Sequence, residues 1–140
     1  MAAGGHASNQ EKGKKMPMPM REELSQSVSF AQQLERAGPG PIVLINTFTV
    51  HPGDAAAMLA TWQQDSQVMK AQPGFIAAQL HAGVADSGVF LNRAVWESVE
   101  HFRAAHANPA FRAAIAQTPA GAIARPHLFR TIAVPGICIA

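Results

Sequence analysis

Four short runs of apolar, largely β-branched and aromatic residues most strongly constrain how this chain can fold. Each run is bounded by proline, glycine or polar residues, a pattern that is typical of β-strands. The first run is apolar on both of its faces, which favours a strand inside a sheet rather than at its edge. The predicted strands are Ile42–Val50, Phe75–Ala82, Val89–Trp96 and His127–Val134.

The segments between these strands carry signals for two helical regions and one hairpin. Asp54 can cap a helix that ends before Pro73, whereas the polar turn at residues 83–88 is short enough to join two antiparallel strands. Ser98 can cap a second helix, and Asn108-Pro109 places a cap and a proline where a third would start. Residues 118–126 are predicted to be a loop. The apolar stripe of the first helix is Ala55, Met58, Leu59, Trp62 and Met69.

The resulting order, βαββαβ, predicts the α+β class and a ferredoxin-like antiparallel sheet with helices on one face. The strands are too apolar for the other face to be left in water. Charged residues make up only 14% of the chain, against a usual fraction of about 25%. We therefore expect a homodimer in which two sheets pack face to face, as in a dimeric α/β barrel.

The N-terminal residues differ in composition from the domain that follows. Residues 1–20 are rich in Gly, Lys, Pro and Met and are predicted to be a disordered leader. Apolar residues recur at helical spacing over residues 21–36, which predicts an amphipathic helix in an arm and linker that reach residue 40. This helix would dock on the domain or on a partner subunit, or else be a loosely attached arm. Residues 41–140 form the predicted domain. The apolar residues of the arm are Leu24, Val28, Ala31 and Leu34.

Composition excludes several classes of function. The net charge of +2 is spread along the chain, which argues against nucleic-acid binding. No apolar run approaches the roughly 20 residues of a membrane span, and no signal-peptide pattern follows the first lysines, so we expect a cytoplasmic protein. Cys138 is the single cysteine, and the six histidines lack metal-ligand spacing. We therefore expect neither a metal nor a flavin cofactor.

The stretch Val89–Ser98, read VFLNRAVWES, is the most informative in the chain. Together with Pro73-Gly74-Phe75 before it and Asn108-Pro109-Ala110-Phe111 after it, the stretch resembles the antibiotic biosynthesis monooxygenase family over about residues 41–135. The resemblance implies a small dimeric α/β barrel. It further implies cofactor-independent oxidation of anthrones or quinols, or degradation of haem.

The anthrone-oxidising members have an asparagine and, four residues later, a tryptophan on the third strand. Asn92 and Trp96 match these two positions, and Arg112 falls where those members have an arginine on the following helix. Their active-site tyrosine corresponds to Phe102, and this chain has no tyrosine at all. The resemblance therefore implies a similar pocket without the phenol that would relay a proton.

The haem-degrading members need an asparagine on the first strand, and a tryptophan and a histidine on the helical segment. Asn46 matches the asparagine, but the other two positions hold Ala105 and Ile115. We therefore do not expect this chain to degrade haem.

Strand alternation places Asn92 and Trp96 on one face, together with Phe90 and Ala94. A buried amide without a partner costs about 1–3 kcal/mol, so Asn92 is either a structural hydrogen bonder or a ligand contact. Asn46 has the same two possible roles, a structural hydrogen bonder or a ligand contact. Trp96 is either a core anchor or a substrate contact, and Arg112 either reaches a substrate oxygen or lies in solvent. His106, on the helix face of Phe102, is a spare acid or base expected to titrate near neutrality.

The sequence thus predicts a monooxygenase that converts an electron-rich aromatic to a quinone with dioxygen and without a cofactor. Its expected catalytic residues are Asn92, Trp96 and Arg112. The alternative is a non-catalytic dimeric module for small-molecule binding or stress response, which the missing tyrosine favours. The expected substrate-binding residues are Asn46, Trp62, Phe90, Phe102 and His106.

Overall fold

A five-stranded sheet with helices packed on one face forms the framework of residues 19–140, the part of the chain that the computed structural model describes. The strands are β1 (Met20–Arg21), β2 (Ile42–Thr49), β3 (Phe75–Ala82), β4 (Val89–Trp96) and β5 (Ile123–Phe129). The helices are α1 (Phe30–Arg36), α2 (Ala55–Met69), α3 (Val99–His106) and α4 (Pro109–Ile115), and a 3-10 turn, Pro52–Asp54, leads into α2.

The strand order is β1-β5-β2-β4-β3. The pairs β5–β2, β2–β4 and β4–β3 are antiparallel, with helices between β2 and β3 and between β4 and β5. This arrangement confirms the predicted ferredoxin-like α+β fold. The two-residue β1, which pairs in parallel with β5, is an addition that the sequence did not predict.

The prediction for the last strand was wrong in position. The structure begins β5 at Ile123, inside the predicted loop 118–126, and ends it at Phe129 rather than at Val134. Pro126 lies within the strand, opposite Asn46 of β2. On the other side of β5, β1 pairs only with Ile123 and Ala124, so the strand has a free edge beyond them. Proline lacks an N–H and is tolerated at such an edge.

The N-terminal arm is less helical than its apolar spacing predicted. The helix covers Phe30–Arg36 rather than residues 21–36, and Leu24 is 54% exposed. It starts at Ser29, whose side chain accepts a hydrogen bond from the backbone of Gln32 while the Gln32 side chain returns one to Ser29. The leader predicted over residues 1–20 lies outside the described residues except for its last two, and Met20 belongs to β1.

The predicted first residues of the two helices after β4 are confirmed. Ser98 accepts a hydrogen bond from the backbone of His101, and Asn108 accepts one from that of Ala110. Asp54 precedes α2 as predicted, but its side chain makes no capping hydrogen bond. Leu59, predicted on the buried stripe of α2, is 47% exposed. The buried face of that helix is narrower than the predicted stripe and centres on Met58 and Thr61.

Two groups of buried side chains fill the space between the sheet and the helices. The larger contains Trp96, which is 1% exposed and makes edge contacts with Phe75 and Phe102 at ring-centroid distances of 5.4 and 6.0 Å. The smaller includes Met58 and Phe90. These contacts hold in place the aromatic side chains between the sheet and the helices. No helix within residues 19–140 has the length and apolar character needed to cross a membrane.

Candidate functional site

A cavity of about 100 Å³ lies between the helices and the face of β2 and β4 that is turned toward them. Its floor includes Asn46, Asn92 and Trp96. Its helical wall comes from α2, α3 and α4, and the N-terminal arm closes one side with Arg21 and Phe30. The volume exceeds the roughly 10–15 Å³ that one water needs, so the space can take a small ligand or part of a larger one.

Two asparagines face each other on the floor of the cavity. Asn46 of β2 and Asn92 of β4 are direct partners in the antiparallel register. Both side chains line the cavity, as alternation along each strand requires. The Oδ1 atom of each is buried, without a hydrogen-bond partner among residues 19–140. The sheet thus presents two adjacent amides to the same space.

Trp96 adds a third unpaired polar atom at the same floor. Its indole Nε1 is buried and likewise lacks a partner within the described part of the chain. Leaving a buried polar group unpaired costs about 1–3 kcal/mol. A ligand or ordered water in the cavity can form hydrogen bonds with all three groups.

Asp65 and Ser66 bring polar groups to the helical wall from α2. The Ser66 hydroxyl donates a hydrogen bond to Asp65 Oδ1 at 3.2 Å. Burial raises the pKa of Asp65 from 3.8 to about 7, and the Ser66 hydrogen bond opposes that shift. Sequence reasoning missed Asp65, although it stands three residues after Trp62 and four before Met69, on the stripe that faces the sheet.

His106 lies at the arm side of the cavity, between two arginines. Its Nε2 is 3.1 Å from Arg21 Nη2, and its Nδ1 is 3.5 Å from Arg112 Nη1. Its ring also packs against Phe102 and Phe111, at centroid distances of 5.6 and 5.1 Å. Burial, and then the charges of Arg21 and Arg112, lower the pKa of His106 to about 4. The expectation that His106 titrates near neutrality was therefore wrong, because burial and the two cations favour the neutral ring.

A second hollow of about 350 Å³ adjoins the cavity on the other side of His106. Arg21, Arg103 and Arg112 line it, which makes this hollow positively charged. Arg21 also lies over the ring of Phe30, with its Cζ 5.6 Å from the centroid. The sequence contains no local signal for Arg21, since its position depends on the pairing of β1 with the distant β5.

The structure brings six of the eight predicted site residues to the cavity wall. It does not bring Phe90 or Arg112 there. Phe90 is 4% exposed and packs in the smaller core group instead. Arg112 lies on the exposed side of α4 and reaches only the outer hollow, because Phe111 and Ile115 occupy the inner face of that helix. The predicted site residues that line the cavity are Asn46, Trp62, Asn92, Trp96, Phe102 and His106.

Metal-binding side chains do not cluster in the region described. No three His, Cys, Asp or Glu residues within residues 19–140 come together as possible ligands of one ion.

A family model, antibiotic biosynthesis monooxygenase, matches residues 41–117, which is more than half of the chain. Its span contains the paired asparagines, Trp96 and Asp65 but not the arm residues Arg21 and Phe30. The chain belongs to the antibiotic biosynthesis monooxygenase family. No curated protein sequence matches it.

Solved structures with this fold include proteins described as oxygenases. SnoaB, a cofactor-independent oxygenase from Streptomyces nogalater, is 26% identical and has a TM-score of 0.63, covering 69% of this chain and 98% of its own. A putative monooxygenase from Shewanella loihica PV-4 is 28% identical over 69% of this chain and 99% of its own, with a TM-score of 0.59. A putative antibiotic biosynthesis monooxygenase from Caulobacter crescentus CB15, at 21% identity, has a TM-score of 0.59 and covers 68% of this chain and 92% of its own. The last of these supports the fold alone.

Proposed function

We propose that this protein is a cofactor-independent monooxygenase that oxidises an electron-rich aromatic of the anthrone or quinol type to a quinone with dioxygen. The observation that carries the proposal is the largely apolar cavity with three unpaired polar atoms on its floor. Family membership and the likeness to SnoaB, which is described as a cofactor-independent oxygenase, support the same reaction class.

The residues that line the cavity suit a hydroxylated aromatic ring system. Trp62, Phe102 and Phe111 supply aromatic walls, against which a ring stacks or packs by its edge. The indole N–H of Trp96 donates to a substrate oxygen, and the amide oxygens of Asn46 and Asn92 accept from substrate hydroxyls. Because a half-turn of an amide exchanges its oxygen and NH₂, either asparagine can also donate.

In this reaction the substrate supplies the reducing electrons. Loss of a proton from the ring system gives a delocalised anion, which transfers one electron to dioxygen. The substrate radical and superoxide combine to a peroxide, which is protonated and then loses water to leave a carbonyl group. The protein binds the ring, excludes water and stabilises the anion with donors already in place.

We also propose that the protein works as a homodimer, because the face of the sheet opposite the helices has no cover within residues 19–140. Val43 and Ile45 of β2 and Leu91 and Val95 of β4 point to that face and are only half-buried. The C-terminal segment after β5 is also apolar and exposed, with Ile137 at 82%. A second copy would cover both surfaces through one two-fold contact.

The test of the oxygenase function is oxygen uptake by purified, chelator-treated protein with anthrone or a hydroxylated anthrone as substrate. We expect quinone formation well above the rate without protein. Asn92→Ala should lower kcat about 100-fold, since removing one well-placed oxyanion donor typically costs a factor of about 10²–10³. Trp96→Phe, which keeps an aromatic ring and removes the N–H, should also be slower.

Gln64→Ala is the matched control, because Gln64 is an exposed residue of α2 that does not line the cavity. Its rate should equal that of the wild type. A wild-type rate no higher than the uncatalysed rate would overturn the proposal. Tight binding of the quinone without turnover would assign the protein to the alternative class, a non-catalytic binding module.

A further inference from the structure

Asp65 is an ionisable carboxylate on the cavity wall to which no ion pair or family motif assigns a role. It projects from α2, whereas Asn46 and Asn92 belong to the sheet, so the cavity separates the carboxylate from the two amides. Ser66 Oγ is its side-chain hydrogen-bond partner. No Lys, Arg or His side chain forms a salt bridge with it among residues 19–140.

The other ionisable groups on the cavity cannot easily accept a proton. Arg21 is a cation. The two ring nitrogens of His106 lie against Arg21 Nη2 and Arg112 Nη1, which are both donors, so the acceptor nitrogen of either tautomer faces an arginine. A neutral imidazole has only one acceptor nitrogen, so His106 has none left for a substrate. Its low pKa of about 4 also makes it a weak base. The chain contains no tyrosine, so Asp65 is the remaining candidate on this wall.

The environment of Asp65 suits proton transfer near neutral pH. With a pKa of about 7, it exchanges readily between carboxylate and carboxylic acid there. A general base is most effective when its pKa lies near the working pH. The charged groups that share the cavity or the adjoining hollow are Arg21, Arg103 and Arg112, and Arg21 and Arg112 lie against His106 at the arm side.

We propose that Asp65 is the general base of the oxygenase, removing the proton from the substrate's reactive C–H or O–H group and later returning it to the peroxide. This inference rests on the oxygenase function proposed above. In the first step, the substrate C–H or O–H bond breaks, its electron pair stays on the ring system, and the proton moves to a carboxylate oxygen of Asp65.

The proton balance closes within one turnover when the substrate is an anthrone. The anion passes an electron to dioxygen, and the radical and superoxide join at the ring carbon. The terminal oxygen of the peroxide takes the proton back from Asp65, which restores the carboxylate. In the last step the remaining C–H bond and the O–O bond of the hydroperoxide break, the carbonyl forms, and the proton and the departing hydroxide leave as water. One dioxygen and one anthrone therefore give one quinone and one water.

The direct test measures proton removal without oxygen. Under anaerobic conditions in D₂O, NMR follows exchange of the anthrone methylene protons in the presence of wild-type protein or Asp65→Asn, a change of almost the same shape. We expect exchange to fall at least 100-fold in the variant, because general bases typically contribute about 10²–10⁴. Aerobic quinone formation should fall by a similar factor.

Ligand binding separates loss of the base from loss of the fold. Quinone product binding, followed by quenching of the fluorescence of Trp62 and Trp96 on the cavity wall, should stay within about threefold in Asp65→Asn. The wild-type rate, corrected for the reaction without protein, should rise with pH through about 7. Ser66→Ala removes a donor to the carboxylate and should move this midpoint to higher pH, whereas Gln67→Ala, on the exposed side of α2, should leave it in place.

The two proposals fail in different ways. If wild-type protein neither exchanges nor oxidises any anthrone or quinol, the oxygenase function falls and the role of Asp65 falls with it. If wild-type protein is active and Asp65→Asn keeps its exchange rate and pH profile, only the role of Asp65 is overturned.

Discussion

Asp65 and His106 are two half-buried ionisable groups that line one cavity, and their environments move their pKa values in opposite senses. Burial raises the pKa of the Asp65 carboxyl to about 7 and lowers the pKa of the His106 imidazole to about 4. Each shift keeps the neutral form in a place poorly reached by water. The two residues therefore affect stability with opposite dependence on pH.

We expect the difference in free energy of unfolding between Asp65→Asn and wild type to increase by about 1–2 kcal/mol from pH 4.5 to pH 6.5. In that range native Asp65 holds a proton that the unfolded chain has released, because its ordinary pKa is 3.8. The Asp65 side chain of the wild-type protein therefore contributes less stability as the pH rises. The asparagine of the variant does not titrate, so the variant does not lose stability in this way. Urea unfolding at the two pH values measures the difference.

His106→Gln should show the opposite trend. Native His106 stays neutral while the unfolded histidine, with an ordinary pKa of 6.5, is protonated below that pH. The wild-type residue therefore contributes stability that is lost as pH falls from about 6.5 to about 4. Relative to wild type, His106→Gln should become less stable as pH rises across this window. Equal trends in both variants would contradict the assigned shifts.

At the scale of elements, the N-terminal arm becomes part of the site through a few specific contacts. Phe30, the first residue of α1, is 5% exposed and meets Phe102 edge-on at 6.3 Å. Gln33 accepts a hydrogen bond from the backbone of Leu128, and Glu22 pairs with Arg125 at 2.6 Å. The arm is therefore docked on β5 and on the helix layer.

We expect Phe30→Ala to destabilise the docked arm by about 3–5 kcal/mol, because it removes a buried aromatic side chain. Hydrogen exchange should become faster in α1 while β2 and β4 stay protected. The KM for an aromatic substrate should rise, since Phe30 and Arg21 form part of the cavity wall.

Leu24→Ala is the matched control for this prediction. Leu24 belongs to the apolar stripe predicted for the arm, which did not include Phe30, and is 54% exposed. Its substitution should change stability by less than about 0.5 kcal/mol. Equal effects of the two substitutions would show that the arm is not held by Phe30.

Sequence patterns predicted the elements whose signals are local. Strand alternation was enough to place Asn92 and Trp96 on the cavity side of β4, and the caps at Ser98 and Asn108 were enough to start two helices. The arm and β5 depend on contacts between residues far apart in sequence, such as Met20 with Ile123. No local pattern reports such pairing, so the helix over residues 21–36 was overestimated and Arg21 was missed.

At the scale of the whole molecule, the open face of the sheet governs assembly. We expect sedimentation to give twice the mass of the chain for the wild-type protein, and the mass of one chain for Leu91→Asp. Leu91 lies on the half-buried apolar face, where a charge would be desolvated in a dimer. Gln67→Asp, on the exposed side of α2 and away from that face, should remain dimeric. A wild-type protein that sediments as one chain would contradict the homodimer.

The partnership of Asn46 with Asn92 has a consequence for how the protein tolerates change. Their spacing is dictated by the main-chain ladder between two central strands, which is among the stiffest distances in any fold. Remodelling the loops, or repacking the helices overhead, would reshape the upper contour of the hollow without disturbing this pair. An engineer seeking new selectivity would accordingly randomise the arm and the positions of α2 other than Asp65 and Ser66, and hold the two amides constant as a fixed point of attachment.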